Sequence, residues 1–116
     1  MKSSVRRMRD TQAVYAFELH FAGPPQPITL LRALAQRIWR EETNRPDRCP
    51  AVVAGRGIRT GDRLASYCEG RSRIVLARNQ RDRVTLIHEM VHALGAETHG
   101  RIFQRRYAEL LGKYWR

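Results

Sequence analysis

The sequence predicts one α+β domain, in which a small, mostly antiparallel sheet packs against helices. Two observations predict this class. Apolar residues recur at helical spacing in three segments, and short apolar runs bounded by turn residues lie between them. The chain has 116 residues, of which 42% are hydrophobic, enough for one small core. We therefore expect residues 1–116 to form a single domain, with residues 1–10 as a flexible basic tail.

The first two predicted elements are a strand and a helix. In residues 12–21, apolar side chains alternate with polar or small ones, which favours a strand, although the start of a helix is the competing interpretation. His20 lies on the polar side of this alternation and is expected at the surface. After the break at residues 23–27, apolar residues recur at helical spacing and predict a helix from Pro27 to about Glu42. This helix is expected to cover the sheet. The alternative is a helix that binds nucleic acid, because its arginines could face phosphates.

Short apolar segments in the middle of the chain predict the sheet. Residues 51–54 form one apolar run, and residues 64–68 and 73–77 read as two strands joined by the Glu69-Gly70-Arg71-Ser72 turn. A β-hairpin is therefore expected directly before the next helix.

Two further helices complete the predicted fold. Asn79 is the expected N-cap of the first, with Asp82 as an acidic residue in its first turn and Gly95 as its terminator. Its predicted buried stripe is Val84, Ile87, Val91 and Leu94. The last helix is expected to begin at about residues 98–100, with an apolar face of Phe103, Tyr107, Leu110, Leu111 and Tyr114.

Charge and cysteine content limit the classes of function. The net charge is +11, and 20 of the 22 basic residues are arginine, which favours contacts with phosphate or carboxylate groups. Nucleic acid is thus one candidate partner, and a solvated basic surface is the alternative. Cys49 and Cys68 form no C-x-x-C pair and are too few for a separate zinc ribbon. In a cytosolic protein they are expected to be reduced, with a disulfide as the alternative. With neither a signal-peptide pattern nor an apolar stretch of about 20 residues, we expect a soluble cytoplasmic protein, with nucleoid association through the basic surface as a further option.

The segment His88-Glu89-Met90-Val91-His92 predicts a zinc site. Two histidines four residues apart lie on one face of a helix, where their imidazoles can bind one zinc ion. Glu89 lies beside them, where its carboxylate can reach a metal-bound water without being a ligand. This is the H-E-x-x-H motif of metalloproteases.

A catalytic zinc site needs a third protein ligand, and His99 is the preferred candidate. Gly95 ends the motif helix, so the chain can turn back and bring His99 to the metal. Glu97, in the same loop, and Glu109, on the last helix, are the alternatives.

Residues 59–111 resemble the SprT-like metalloprotease domain of the zincin superfamily, with the WLM and YgjP-like families as close alternatives. In these families an H-E-x-x-H helix is followed by a third histidine, often within H-G-x-x-F. This chain carries both pieces, the second as His99-Gly100-Arg101-Ile102-Phe103. The strand pattern before the helix is also similar. The linker between His92 and His99 is shorter than in many SprT-like members, and no C-terminal zinc ribbon accompanies it.

The resemblance implies a minimal zincin-like fold and a zinc-dependent endopeptidase acting on protein or peptide substrates, including DNA-associated proteins. Glu89 would be the general base and would pass its proton to the leaving amine. Residues 73–77 would provide the edge strand that aligns the substrate. Tyr107, Tyr114 or an arginine would stabilise the oxyanion.

Two other functions fit the same sequence. The first is a non-catalytic, zinc-stabilised basic module that binds nucleic acid, and the second is a nucleic-acid binder whose histidines are incidental. Glu89 favours the enzyme over the first, because a purely structural zinc site does not need a carboxylate there.

Overall fold

The computed structural model describes residues 2–21, 23–60 and 63–115, which form an α+β fold. Its α-helices are α1 (Lys2–Glu18), α2 (Ile28–Glu42), α3 (Arg83–Ala93) and α4 (Arg101–Tyr114). Its strands are β1 (Ala51–Ala54), β2 (Ile58–Thr60), β3 (Arg63–Ala65), β4 (Tyr67–Glu69) and β5 (Arg73–Leu76). The predicted fold class is confirmed at this level. Helices α2 and α4 also lie where the sequence predicts them.

The main sheet has three strands in the order β1-β5-β4, and β2 and β3 form a separate hairpin. Strand β5 pairs in parallel with β1 and antiparallel with β4, while β2 and β3 are antiparallel. Two of these three pairings are therefore antiparallel, as predicted. The central place of β5 corrects one expectation: residues 73–77 are not the edge strand, and β4 takes that position.

The predicted hairpin is confirmed, but its first strand is interrupted at Ser66. The backbone N–H of Ser66 donates to the side chain of Gln80 at 2.7 Å, and the Ser66 hydroxyl accepts from the Ala77 N–H at 2.8 Å. These bonds take both residues out of the strand ladders. The predicted strand 64–68 is therefore divided between β3 and β4, and β5 ends at Leu76.

Helix α3 lies in the middle of the core and contacts β4, β5, α2 and α4. Three of its four predicted stripe residues are buried, and Leu94 is half-buried. Leu86, Met90 and Ala93 are buried as well, so more than one face of the helix is covered. The predicted apolar face of α4 is buried in full. Among the described residues, no helix is long and apolar enough to cross a membrane.

The N-terminal region differs from the prediction. Residues 2–18 form one helix, so the predicted strand over residues 12–21 is wrong, and residues 2–10 of the predicted tail are the first half of α1. The apparent alternation does not correspond to a buried face, because Tyr15 and Leu19 are 53% and 77% exposed. Among the described side chains of α1, Val14 is the buried one instead. His20 is exposed, as predicted.

The N-cap of α3 is Asp82 rather than Asn79. Asn79 lies in a short 3-10 helix, Arg78–Gln80, and α3 begins after it. The Asp82 carboxylate accepts a hydrogen bond from the Thr85 N–H at 2.8 Å. It therefore satisfies one of the free N–H groups at the start of the helix that carries the histidine motif.

Asp82→Ala is expected to lower the free energy of unfolding by about 1 kcal/mol, because the N–H of Thr85 loses its acceptor. Asn79→Ala is the matched control and should change it by less than about 0.5 kcal/mol, because Asn79 is exposed. Urea unfolding followed by circular dichroism measures both. A larger effect at residue 79 than at residue 82 would contradict the assigned cap.

Candidate metal centre

Three histidines from two consecutive segments converge on one point. His88 and His92 lie one helical turn apart on α3, and His99 lies two residues before α4. Nε2 of His99 is 3.1 Å from Nε2 of His88 and 3.3 Å from Nε2 of His92. One ring nitrogen from each of the three lies within 4.8 Å of the others, so these histidines lie close enough to bind one metal ion.

The two short separations fit tetrahedral coordination. A tetrahedral zinc ion with Zn–N bonds of about 2.0–2.1 Å places its ligand nitrogens about 3.3–3.4 Å apart. The Nε2 separations of 3.1 and 3.3 Å are close to that spacing. The residues present therefore fit a tetrahedral ion of this size.

The other ring nitrogen of each histidine has its own partner. Nδ1 of His88 bonds to the Glu18 carboxylate, Nδ1 of His92 lies 2.6 Å from the Ala96 carbonyl, and Nδ1 of His99 lies 3.1 Å from the Thr11 hydroxyl. A carbonyl can only accept, so His92 carries its proton on Nδ1, and the carboxylate sets the same tautomer for His88. Their Nε2 lone pairs then face His99, an arrangement that a cation at the centre stabilises.

The electrostatic environment keeps two of the three histidines neutral, as metal binding would require. Burial lowers the pKa of His92, while its hydrogen bond to the Ala96 carbonyl opposes the shift. Burial, followed by the unfavourable electrostatic interaction with the neighbouring imidazoles of His88 and His92, lowers the pKa of His99 to about 4. Both imidazoles are therefore unprotonated and free to bind a cation near neutral pH.

Phe103 forms the apolar floor of the site. Its ring is fully buried, and its centroid lies 5.0 Å from His88, 4.7 Å from His92 and 4.9 Å from His99. This packing explains why a phenylalanine at the last position of the H-G-x-x-F segment suits the site. The aromatic side chain, one helical turn after the third histidine, holds all three rings from the core side.

The loop between the histidines is shaped by Gly95. Its φ of 120° lies in the region that favours glycine, and it turns the chain at the end of α3. The turn brings the Ala96 carbonyl back to His92 and continues to His99. Gly95 thus ends the helix, as predicted, and helps to orient a ligand.

Glu89 and the histidines line one open cleft of about 560 Å³. Glu89 is only 6% exposed, and no described residue donates a hydrogen bond to its carboxylate. Burial raises the pKa of Glu89 to about 7; the interaction with His88 opposes this shift and the interaction with Glu18 adds to it. The cleft therefore contains a carboxyl group that can accept or release a proton near neutral pH.

The edge strand β4 forms a wall of this cleft. Its residues Tyr67 and Cys68 line the cleft, and so do Ile58 and Ala65 of the β2–β3 hairpin. Burial, followed by the charges of Glu89 and Glu69, raises the pKa of the Cys68 thiol to about 12. Cys68 is thus an uncharged thiol in this wall, and it is a free cysteine, as is Cys49.

The other predicted site residues are not brought to the metal position. Glu97 lines the cleft but does not belong to the histidine cluster, and Glu109 lines a separate surface pocket on α4. Tyr107 is buried and donates to Glu18 at 2.9 Å, while Tyr114 donates to Glu41 and Glu42 between α2 and α4. Neither of these tyrosines lines the cleft, so the structure does not bring either hydroxyl to the site. The phenols that do line it are Tyr15 and Tyr67.

Thr11, Tyr15 and Glu18 belong to the site but were missed by sequence reasoning. All three lie on α1, of which residues 12–18 were predicted to belong to a strand. Residues 11, 14, 15 and 18 have helical spacing, and this was the signal that could have identified them. The contacting residues are far apart in the sequence: Glu18 and His88 are separated by 70 residues, and Thr11 and His99 by 88.

Comparisons with protein-family profiles, curated proteins and solved structures give no match for this chain. The function is therefore inferred from the residues and geometry of the site.

Proposed function

We propose that this protein is a zinc-dependent endopeptidase. The observation that carries the proposal is the convergence of three histidine Nε2 atoms in an open cleft beside a buried glutamate. Three protein ligands with a position left for water are typical of catalytic zinc sites, whereas structural sites have four protein ligands. Zinc is the proposed metal because an all-imidazole tetrahedral site suits it.

The bound metal would lower the pKa of a coordinated water and polarise the scissile carbonyl. Glu89 is the proposed general base, because its carboxylate can take up a proton and its position directly after His88 places it beside the ligands. It would then deliver that proton to the leaving amine. A pKa near the working pH suits a group that both accepts and donates.

The walls of the cleft support an extended peptide as substrate. Strand β4 pairs on one side with β5, and it is the last strand of the three-stranded sheet. A peptide that adds to this edge would lie along the same wall as Glu89 and the histidines. The hydroxyl groups of Tyr15 and Tyr67 are the phenol donors available to the oxyanion.

The resemblance to SprT-like metalloproteases agrees with this function. The motif helix, the third histidine and the phenylalanine of H-G-x-x-F all take part in the site. We therefore extend the proposal to a minimal zincin-like domain of that kind, for which DNA-associated proteins are candidate substrates because the chain carries a net charge of +11.

The alternative is a zinc-stabilised nucleic-acid-binding module without catalysis. The same net charge favours it. The open cleft and the buried Glu89 favour the enzyme, because a structural zinc ion is enclosed by its ligands and needs no proton acceptor.

Metal removal tests the proposal. The protein is expected to bind one equivalent of Zn²⁺, to cleave an unfolded, fluorescently labelled protein, and to lose cleavage when a chelator removes the ion. At free Zn²⁺ of about 1,000 times the dissociation constant, the metal should also raise the free energy of unfolding by about 4 kcal/mol. Cleavage assays and thermal unfolding at buffered Zn²⁺ measure the two effects.

Each outcome has a distinct meaning. Restored cleavage after Zn²⁺ is added back supports the enzyme. Zinc binding and stabilisation without cleavage of free or DNA-bound proteins would contradict the peptidase and support the binding module. Purified protein that takes up no metal would contradict both.

A further inference from the structure

One face of α1 is directed at the metal ligands. Thr11, Tyr15 and Glu18 follow one another at spacings of four and three residues, which places them on one side of the helix. Thr11 contacts His99 and Glu18 contacts His88, each at Nδ1. The ring of Tyr15 lies beside both, with centroid separations of 6.5 Å from His88 and 6.3 Å from His99.

The Glu18 carboxylate is itself held in place from the core. The hydroxyl of Tyr107, on α4, donates to the same carboxylate oxygen that bonds to His88. Tyr107 is only 1% exposed, so this donor is fixed by packing. A carboxylate that accepts the Nδ1 proton of a metal ligand orients the ring and increases the basicity of its other nitrogen.

The remaining packing of α1 is thin. Among its described side chains only Val14 is buried, whereas α2 buries five. Beyond the helix, the Phe21 carbonyl accepts from the indole N–H of Trp115 at 2.8 Å. Segments with few buried apolar contacts open at low free-energy cost. Besides Val14, the ring of Phe17 packs edge-on against Tyr107 with 6.0 Å between centroids. The contacts with His88 and His99 therefore add to a small set of apolar contacts that hold α1 against the domain.

We propose that α1 is a positioning element for the metal ligands, so that docking of this helix and binding of the metal stabilise each other. The inference rests on the proposed metal site. Glu18 and Thr11 orient two of the three ligands, and the ion in turn fixes the rings to which they bond. Linkage is reciprocal. The free energy by which docked α1 strengthens metal binding therefore equals the free energy by which the bound metal stabilises the docked helix.

The first test measures metal affinity in the full chain. Glu18→Ala is expected to weaken Zn²⁺ binding by about 10–100-fold, measured by competition with a chromophoric chelator. Thr11→Val should give a smaller loss, and Glu18→Gln should recover part of the affinity because its amide oxygen can still accept from His88. The visible absorption of the Co²⁺-loaded protein should change in Glu18→Ala, which reports on the ligand field rather than on folding.

Glu97→Gln is the matched control. It also removes one carboxylate from the cleft, but Glu97 has no hydrogen bond to a histidine among the described residues. Its Zn²⁺ affinity is expected to stay within about threefold of wild type, a difference below about 1 kcal/mol. An equal loss in Glu97→Gln and Glu18→Ala would show a general charge effect and would overturn the positioning role.

The second test is hydrogen exchange with and without Zn²⁺. In the wild-type protein, Zn²⁺ is expected to slow the exchange of α1 amides. In Glu18→Ala at saturating Zn²⁺, the slowing should be lost in α1 and retained in α3. Wild-type protein that binds Zn²⁺ without any change in α1, or a folded Glu18→Ala that binds as tightly as wild type, would overturn the coupling alone. Wild-type protein that binds no metal would overturn the proposed function as well.

Discussion

Glu89→Gln is expected to lower peptide cleavage by about 10²–10⁴-fold, because it removes the proposed general base. Zinc affinity and the free energy of unfolding should stay close to wild type. Glutamine has nearly the same shape, and the side chain it replaces is buried without a hydrogen-bonded partner among the described residues. Cleavage of a labelled unfolded protein by enzyme with measured zinc content tests this expectation.

Glu109→Gln is the control for this variant. It makes the same change of carboxylate to amide, but Glu109 lines a separate pocket on α4. Its cleavage rate is expected to equal that of wild type. If Glu89→Gln retained full cleavage while the protein held its zinc, Glu89 would not be the general base.

His99→Ala is expected to weaken zinc binding by about a hundredfold or more. Structural zinc sites with four protein ligands have binding free energies of about 10–16 kcal/mol, so one ligand contributes about 3 kcal/mol. A loss of that size corresponds to about a hundredfold in the dissociation constant. Competition with a chelator of known affinity gives the constant directly, and cleavage should fall with metal occupancy.

Glu97→Ala and Glu109→Ala are the comparisons that identify the third ligand. Both carboxylates were candidates on sequence grounds, and neither belongs to the histidine cluster. Each substitution is expected to leave the zinc affinity near that of wild type. A hundredfold loss in Glu97→Ala together with a small effect in His99→Ala would contradict the three-histidine site.

The parts of the fold that depend on local patterns could be predicted. Helices α2 and α4 have a regular apolar face, so their bounds and buried residues followed from periodicity. Helix α1 has no such face, since its apolar residues are mostly exposed and its inward side is polar. The alternation of residues 15–21 was therefore mistaken for a strand.

Some predictions failed because nearby residues competed for one role. Asn79 and Asp82 can both cap a helix, and the 3-10 helix before α3 leaves only Asp82 in position to accept from Thr85. The position of β5 in the sheet could not be inferred either, because it depends on the parallel pairing with β1, about twenty residues away in sequence.

By itself, the sequence determined that His88 and His92 would share one helical face with Glu89 beside them, and it made His99 the preferred third partner over Glu97 and Glu109. These residues lie within twelve positions of one another, and helical spacing and the turn at Gly95 are local properties of the chain. The tertiary structure alone decided which groups hold those histidines. Glu18 and Thr11 come from a helix at the other end of the chain, and their contacts exist only after α1 packs against α3 and α4.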